Sequence, residues 1–107
     1  MDKENLSRFI ISEQSSIVDA MEKIDRNGRG ILFVTDEQEH LSGALTDGDI
    51  RRFLLHAGSL TDLVSLAMHK NPISLLEQEK SSAFTEMREK KVTSLPIVDF
   101  RGQIIDI

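Results

Sequence analysis

The sequence predicts an α/β (α+β) fold made of two strand–helix–strand–strand–helix repeats that share one core. Three observations carry this. The run Ser15-Ser16-Ile17-Val18-Asp19-Ala20-Met21 recurs, with matching polar and apolar spacing, as Ser81-Ser82-Ala83-Phe84-Thr85-Glu86-Met87, 66 positions later. Each copy then passes through a charged stretch into an apolar strand closing on an aspartate, Phe33-Val34-Thr35-Asp36 and Pro96-Ile97-Val98-Asp99. Internal repetition constrains architecture more than a single motif does. The whole chain has 107 residues, enough for one real core but not for two independent ones. The copies divide the chain at 1–70 and 71–107.

In the first copy, Ser16 followed by Asp19 is a helix start, with Ile17, Ala20, Met21 and Ile24 on the apolar face and Asn27-Gly28 as the stop. Ile31 to Val34 reads as a buried strand and 36–39 as a turn. Leu41 to Leu45 is the next strand, and Gly43 within it signals close approach of a neighbour. Asp47 to His56 is helical, with Ile50, Phe53 and Leu54 on one side and Gly58 as its C-cap. Thr61 to Met68 reads as a short helix ended by Asn71-Pro72. The second copy follows as strand Ile73 to Leu76, helix Ser81 to Lys90, strand Leu95 to Val98, a turn at Phe100-Arg101-Gly102, and a last strand from Gln103. Met21, Met68 and Met87 read as packing residues.

Hydrophobic residues make up 39% and charged residues 29%, as in soluble globular proteins. No apolar run approaches the roughly 20 residues of a membrane helix, so no membrane partner is expected. Cysteine is absent, which excludes disulfides and thiolate metal sites and fits a cytoplasmic location. A net charge of −5, with no Trp or Tyr, argues against nucleic acid, which calls for a basic face. A small anionic ligand needs local positive charge or a helix N-terminus. That requirement directs attention to Arg51 and Arg52.

Gly43-Ala44-Leu45-Thr46-Asp47-Gly48-Asp49-Ile50-Arg51-Arg52 is similar to the Gly-apolar-apolar-Ser/Thr-x-x-Asp signature of the cystathionine beta-synthase (CBS) domain family. Ala67-Met68-His69-Lys70-Asn71-Pro72-Ile73-Ser74 looks like the entry to a second CBS repeat. Thr93-Ser94-Leu95-Pro96-Ile97-Val98-Asp99 resembles the family's second-strand motif. The chain thus resembles a tandem CBS pair, or Bateman module, over residues 8–107. The resemblance implies two beta-alpha-beta-beta-alpha repeats packed about a pseudo-two-fold axis. It further implies a regulatory module that binds an adenosine-containing ligand (AMP, ADP, ATP or S-adenosylmethionine) on behalf of an attached enzyme; exposed apolar sheet edges and the lack of a final helix in the second copy predict a homodimer through the CBS pairs.

Thr46 and Asp49 are the leading site residues. In the ligand reading the Asp49 carboxylate accepts from two ribose hydroxyls, while Thr46 and the helix N–H groups face a phosphate. The same Thr-x-x-Asp spacing is nearly a capping box, which stabilises by ~1 kcal/mol without any ligand; Ser16-x-x-Asp19 repeats the pattern. Arg51 and Arg52 sit where cations oppose the helix dipole, so they serve either an anionic ligand or the neighbouring Asp47 and Asp49. The resemblance places Gly30 and Ile31 on the adenine side, against their ordinary roles as turn and strand. No catalytic or metal-ligating residue is expected. Asp25 to Asp36 mimics a calcium loop imperfectly, with Arg29 at a ligand position. His40, His56 and His69 have no ligand spacing and read as surface residues.

Aligning Asp36 with Asp99 places the counterparts of Thr46 and Asp49 beyond Ile107. The second repeat is therefore expected to be truncated, with a catalytic domain following Ile107. Domain order favours a sugar-phosphate nucleotidyltransferase over a sugar-phosphate isomerase as that enzyme. Two other readings stand beside this one: a dimerisation module that binds nothing, and a small magnesium-dependent phosphohydrolase using Asp47 and Asp49.

Overall fold

The computed structural model describes residues 2–90 and 94–107; Thr93 of the second-strand motif lies outside them. Strands β1 (Ile10–Ser12), β2 (Ile31–Thr35), β3 (Leu41–Thr46) and β4 (His69–Lys70) form one sheet in that order. β1 runs parallel to β2, and the other pairs are antiparallel. Strands β5 (Leu75–Leu76), β6 (Ile97–Val98) and β7 (Ile104–Asp106) form a second sheet, with β5 parallel to β6 and β7 antiparallel to it. Helices α1 (Lys3–Ser7), α2 (Ile17–Asn27) and α3 (Asp47–Leu55) belong with the first sheet and α4 (Ala83–Lys90) with the second. The architecture is two βαββ-type units about a pseudo-two-fold axis. No helix among the described residues is long and apolar enough to cross a membrane.

The expected shared core is two clusters. Ile11, Ile17, Ala20, Ile24, Leu32, Val34, Leu45, Ile50 and Val64 pack on the first sheet, and Leu75, Leu95 and Ile97 on the second, with Met87 and Ile105 against them. α2 forms as its sequence directs. The Ser16 hydroxyl accepts the Asp19 N–H at 3.2 Å, and Gly28 closes the helix at φ 69°, a left-handed conformation favoured by glycine. Ile17, Ala20 and Ile24 are buried, but Met21 is 40% exposed. The buried stripe is narrower than expected, and Met21 lines a groove between α2 and α3 instead.

Asn27 does more than stop that helix. Its Nδ2 donates to the carbonyls of Arg8 (3.1 Å) and Ile31 (3.2 Å), and its Oδ1 accepts the Arg29 N–H at 2.8 Å. One buried side chain thus ties the end of α2 to the entry of β1 and the start of β2.

The expected helix at Thr61–Met68 is only a 3₁₀ turn, Val64–Leu66. The backbone around it serves α2 instead. The Leu60 and Asp62 carbonyls accept the N–H groups of Val18 (3.0 Å) and Ile17 (2.9 Å), while Val64 N–H donates to Ser15 (2.8 Å). Free N–H groups at a helix start demand partners, and that demand keeps the segment from forming a continuous helix. Gly58 is likewise not the left-handed cap; Ala57 takes that conformation at φ 71°. At Gly43 the expected close neighbour is Met68: a Cβ there would collide with its side chain and lie 3.1 Å from the His69 carbonyl oxygen.

The two β-hairpins share one loop design. Asp36 N–H donates to the His40 carbonyl and Asp99 N–H to that of Gln103, both at 2.9 Å. Asp36 Oδ1 accepts the N–H groups of Gln38 and His40, each at 2.9 Å. Asp99 Oδ1 accepts those of Arg101 (2.9 Å) and Gln103 (3.0 Å). The left-handed position falls on Glu39 (φ 64°) and Gly102 (φ 83°), and both strand pairs shift register at equivalent places, Val34/Thr35 and Ile97/Val98. The His40 backbone N–H, first among the donors, holds the Asp36 carboxyl below its ordinary value. His40 Nδ1 lies 3.5 Å from Asp36 Oδ2, and its side chain remains partly exposed.

These loops meet across the pseudo-two-fold axis. His40 and Gln103, equivalent residues, form an antiparallel bridge; Leu41 N–H donates to the Gly102 carbonyl at 2.9 Å, and Gln103 Nε2 to that of Gln38 at 3.3 Å. The elements for which periodicity set no bounds are short: α1, β1, which the repeat order calls for, and β4. Asn27→Ala removes three buried hydrogen bonds and should lower unfolding free energy by about 2 kcal/mol, measured by urea denaturation; an unchanged midpoint would contradict the role assigned to this side chain.

Candidate functional site

β3 runs into α3 without a loop, so Thr46 is both the last strand residue and the helix N-cap. The cap is reciprocal: Thr46 Oγ1 accepts the Asp49 N–H at 3.1 Å, and Asp49 Oδ2 accepts the Thr46 N–H at 3.0 Å. Thr46 pairs with Ile31 across β2 and β3, and Asp47 N–H donates to the Gly30 carbonyl at 3.1 Å. Gly30 has φ 71°, and Asp47 Oδ2 lies only 3.2 Å from where its Cβ would be. A side chain there would be strained and would press on that carboxylate. Gly30, Ile31, Thr46 and Asp49 therefore gather at one end of the first sheet.

The two arginines part company. Arg52 Nη2 donates to Asp49 Oδ1 at 2.7 Å, with side-chain exposures of 66% and 19%. Both line a cleft of about 250 Å³ with Phe53, His56, Leu66 and Ala67. Arg51 and Gly30 instead line a groove of about 950 Å³ between α2 and α3, with Val18, Met21, Leu54 and Leu60. Helical spacing explains the split, because adjacent residues project about 100° apart. Asp47 faces that groove as well, so the two carboxylates of Asp47-Gly48-Asp49 do not converge on one site. Among the described residues no cluster of three His, Asp or Glu side chains could hold a metal ion. His56 belongs to the small cleft, its Nδ1 2.7 Å from the Arg52 carbonyl oxygen; sequence spacing gave no sign of it.

Residues 5–56 match the CBS domain family. The chain also superposes on solved CBS proteins over nine-tenths of its length. The CBS domain protein PAE2072 of Pyrobaculum aerophilum, complexed with AMP, gives a TM-score of 0.74 at 17% identity, covering 90% of this chain and 75% of that one. The fold is that of a tandem CBS domain pair. The CBS pair of protein MJ0100, in complex with 5′-methylthioadenosine and S-adenosyl-L-methionine, gives 0.75 at 21% identity, covering 91% of this chain and 77% of that one.

In sequence, the chain is 41% identical over 91 residues to arabinose 5-phosphate isomerase GutQ of Salmonella typhi, a match that covers 84% of this chain. It spans 28% of the length of the curated relatives it matches. The relatives that carry an enzyme name are isomerases, so the expected link to a nucleotidyltransferase finds no support in them. In the CBS pair, Thr46→Val removes the cap acceptor and should cost about 1 kcal/mol, whereas Thr46→Ser should be near neutral. Thermal unfolding of both variants distinguishes them; equal losses would mean that the hydroxyl is not the stabilising group.

Proposed function

We propose that this chain is the regulatory module of a sugar-phosphate-converting enzyme and senses an adenine nucleotide at Thr46 and Asp49. The single observation that carries the reading is the reciprocal Thr46–Asp49 cap beside Gly30 and Ile31, within a fold whose solved examples include complexes with AMP and with S-adenosyl-L-methionine. The partly exposed Asp49 carboxylate suits a vicinal diol, and the helix start suits an anion. The relatives favour an isomerase as the attached enzyme. The chain itself supplies binding and no chemistry; ligand acts by preferring one arrangement of the two repeats over another.

Calorimetric titration with AMP, ADP, ATP and S-adenosylmethionine tests this on the wild type and on Asp49→Asn, which keeps a cap acceptor but loses the charge. Hydrogen bonds to a charged group contribute roughly 1.5–3 kcal/mol, so the best ligand should bind at least ~10-fold more weakly to the variant. No heat from any of the four would end the proposal.

A second reading, self-association, is favoured by the groove between α2 and α3. Its wall exposes Val18, Met21 and Leu60 beside Glu22, Asp25 and Arg51, and exposed apolar residues gathered in one place mark interaction surfaces. Light scattering should find a dimer that Met21→Glu converts to a monomer. A monomeric wild type would rule it out.

A further inference from the structure

Resting on the self-association reading above, we infer that the tip of the second β-hairpin, Phe100 and Arg101, docks in the α2–α3 groove of a second copy of this chain, each copy giving its tip to the other. The two hairpins share a loop design but not a tip. Glu37 and Gln38 stand in the first where Phe100 and Arg101 stand in the second. Glu37 is tied to its own repeat, its Oε1 accepting from Gln14 Nε2 at 2.9 Å. Phe100 is 89% exposed, more than any other large hydrophobic side chain among the described residues. The Arg101 guanidinium lies over its ring, 5.4 Å from the centroid, within the range at which a ring face attracts a cation. Aromatic side chains and arginine are the types enriched at protein interfaces. The turn beneath them is fixed, since Asp99 Oδ1 accepts the Arg101 and Gln103 N–H groups. A preformed tip loses little freedom on docking.

The groove supplies the complement. Met21 and Leu60 expose apolar surface in it, and Glu22, Asp25 and Asp47 outnumber Arg51 among its charged residues. Its volume of about 950 Å³ admits a phenyl ring together with the arginine. The chain's net charge of −5 opposes self-association in general, and a cation brought to these carboxylates offsets that locally. The Glu37 tip could not serve, because it would bring a like charge. Nor can a chain fill its own groove. Every lining residue belongs to the first repeat. Gly30 and Asp47 lie at the Thr46 end of β3, whereas the tip's loop is fastened at the Leu41 end by the Gly102 carbonyl and the His40–Gln103 bridge. Exchange of tips between two copies makes two equal contacts and closes the pair.

Sedimentation equilibrium on the wild type, Phe100→Ser, Arg101→Glu, Met21→Glu, and an equimolar mixture of Phe100→Ser with Met21→Glu reads this out. The wild type should be a dimer. Phe100→Ser and Met21→Glu should each weaken it at least ~10-fold, as loss of a buried phenylalanine contact predicts, and Arg101→Glu should act in the same direction. The mixture should recover dimer, because the intact tip of Met21→Glu fits the intact groove of Phe100→Ser and one contact of the two survives. Thermal unfolding checks that each variant keeps the fold. If Met21→Glu does not, Leu60→Glu, in the same groove and 45% exposed, takes its place. An undiminished dimer in Phe100→Ser or Arg101→Glu, or a mixture with no more dimer than its components, overturns the docking while leaving self-association through the groove in place. A monomeric wild type strikes self-association itself, and the docking with it.

Discussion

Two hydrogen-bonded loops facing each other across a pseudo-two-fold axis hold this molecule in register. Apolar burial is strong but has no direction, and here it is divided between two clusters, one for each sheet. Burial of that kind keeps each unit folded without fixing how the two are oriented. Orientation comes from the Asp36 and Asp99 loops. In each, a carboxylate gathers two backbone N–H groups and fixes the hairpin's turn. The fixed loops then present equivalent residues, His40 and Gln103, to one another as an antiparallel bridge. Directional backbone bonds supply what the divided core does not.

That junction and the candidate site occupy opposite ends of one strand. β3 begins at Leu41, whose N–H is bound by the Gly102 carbonyl of the other repeat, and it ends at Thr46, the cap of α3. Six residues of strand span roughly 20 Å at about 3.4 Å each. β4 braces the middle of this strand at Gly43 and Ala44, where the missing Cβ of Gly43 admits Met68. The site therefore stands on a short, doubly paired strand, and its geometry is set by the pairing before any ligand arrives. Thr46 and Asp49 stabilise the helix whether or not they also bind, so the two roles first weighed against each other in the sequence occupy the same atoms.

Much of this was legible beforehand because the signals are local. Ser16, Asn27-Gly28 and Thr46-x-x-Asp49 announce helix ends through capping chemistry that acts within a few residues, and the aspartates at 36 and 99 announce the turns. The failures share a different cause. α1, β1 and β4 are too short for a periodic pattern to develop. Thr61–Met68 looks helical in isolation, but its backbone is claimed by the first turn of α2, a partner over 40 residues away in sequence. Met21 falls on the apolar side of a helical projection, yet the sheet covers only the narrower stripe of Ile17, Ala20 and Ile24. Asn27 was readable as a stop signal and not as a buried hub, because its partners, Arg8 and Ile31, belong to other elements. The separation of Arg51 from Arg52 needed only the helical angle between neighbours, but which side faced the small cleft required the position of Leu66 and Ala67.

Those last two residues matter for how such a site could influence anything beyond itself. Leu66 and Ala67 line the cleft with Asp49 and Arg52, and they open the connector that passes through Met68 into β4 and on to β5 of the second sheet. This segment belongs structurally to the first repeat and leads covalently into the second. The hairpin junction resists a change in the angle between repeats, since its backbone bonds are geometrically demanding. The connector offers the softer coordinate: β4 is only two residues long and exposed, held by its pairing to β3 and by the seat of Met68 at Gly43.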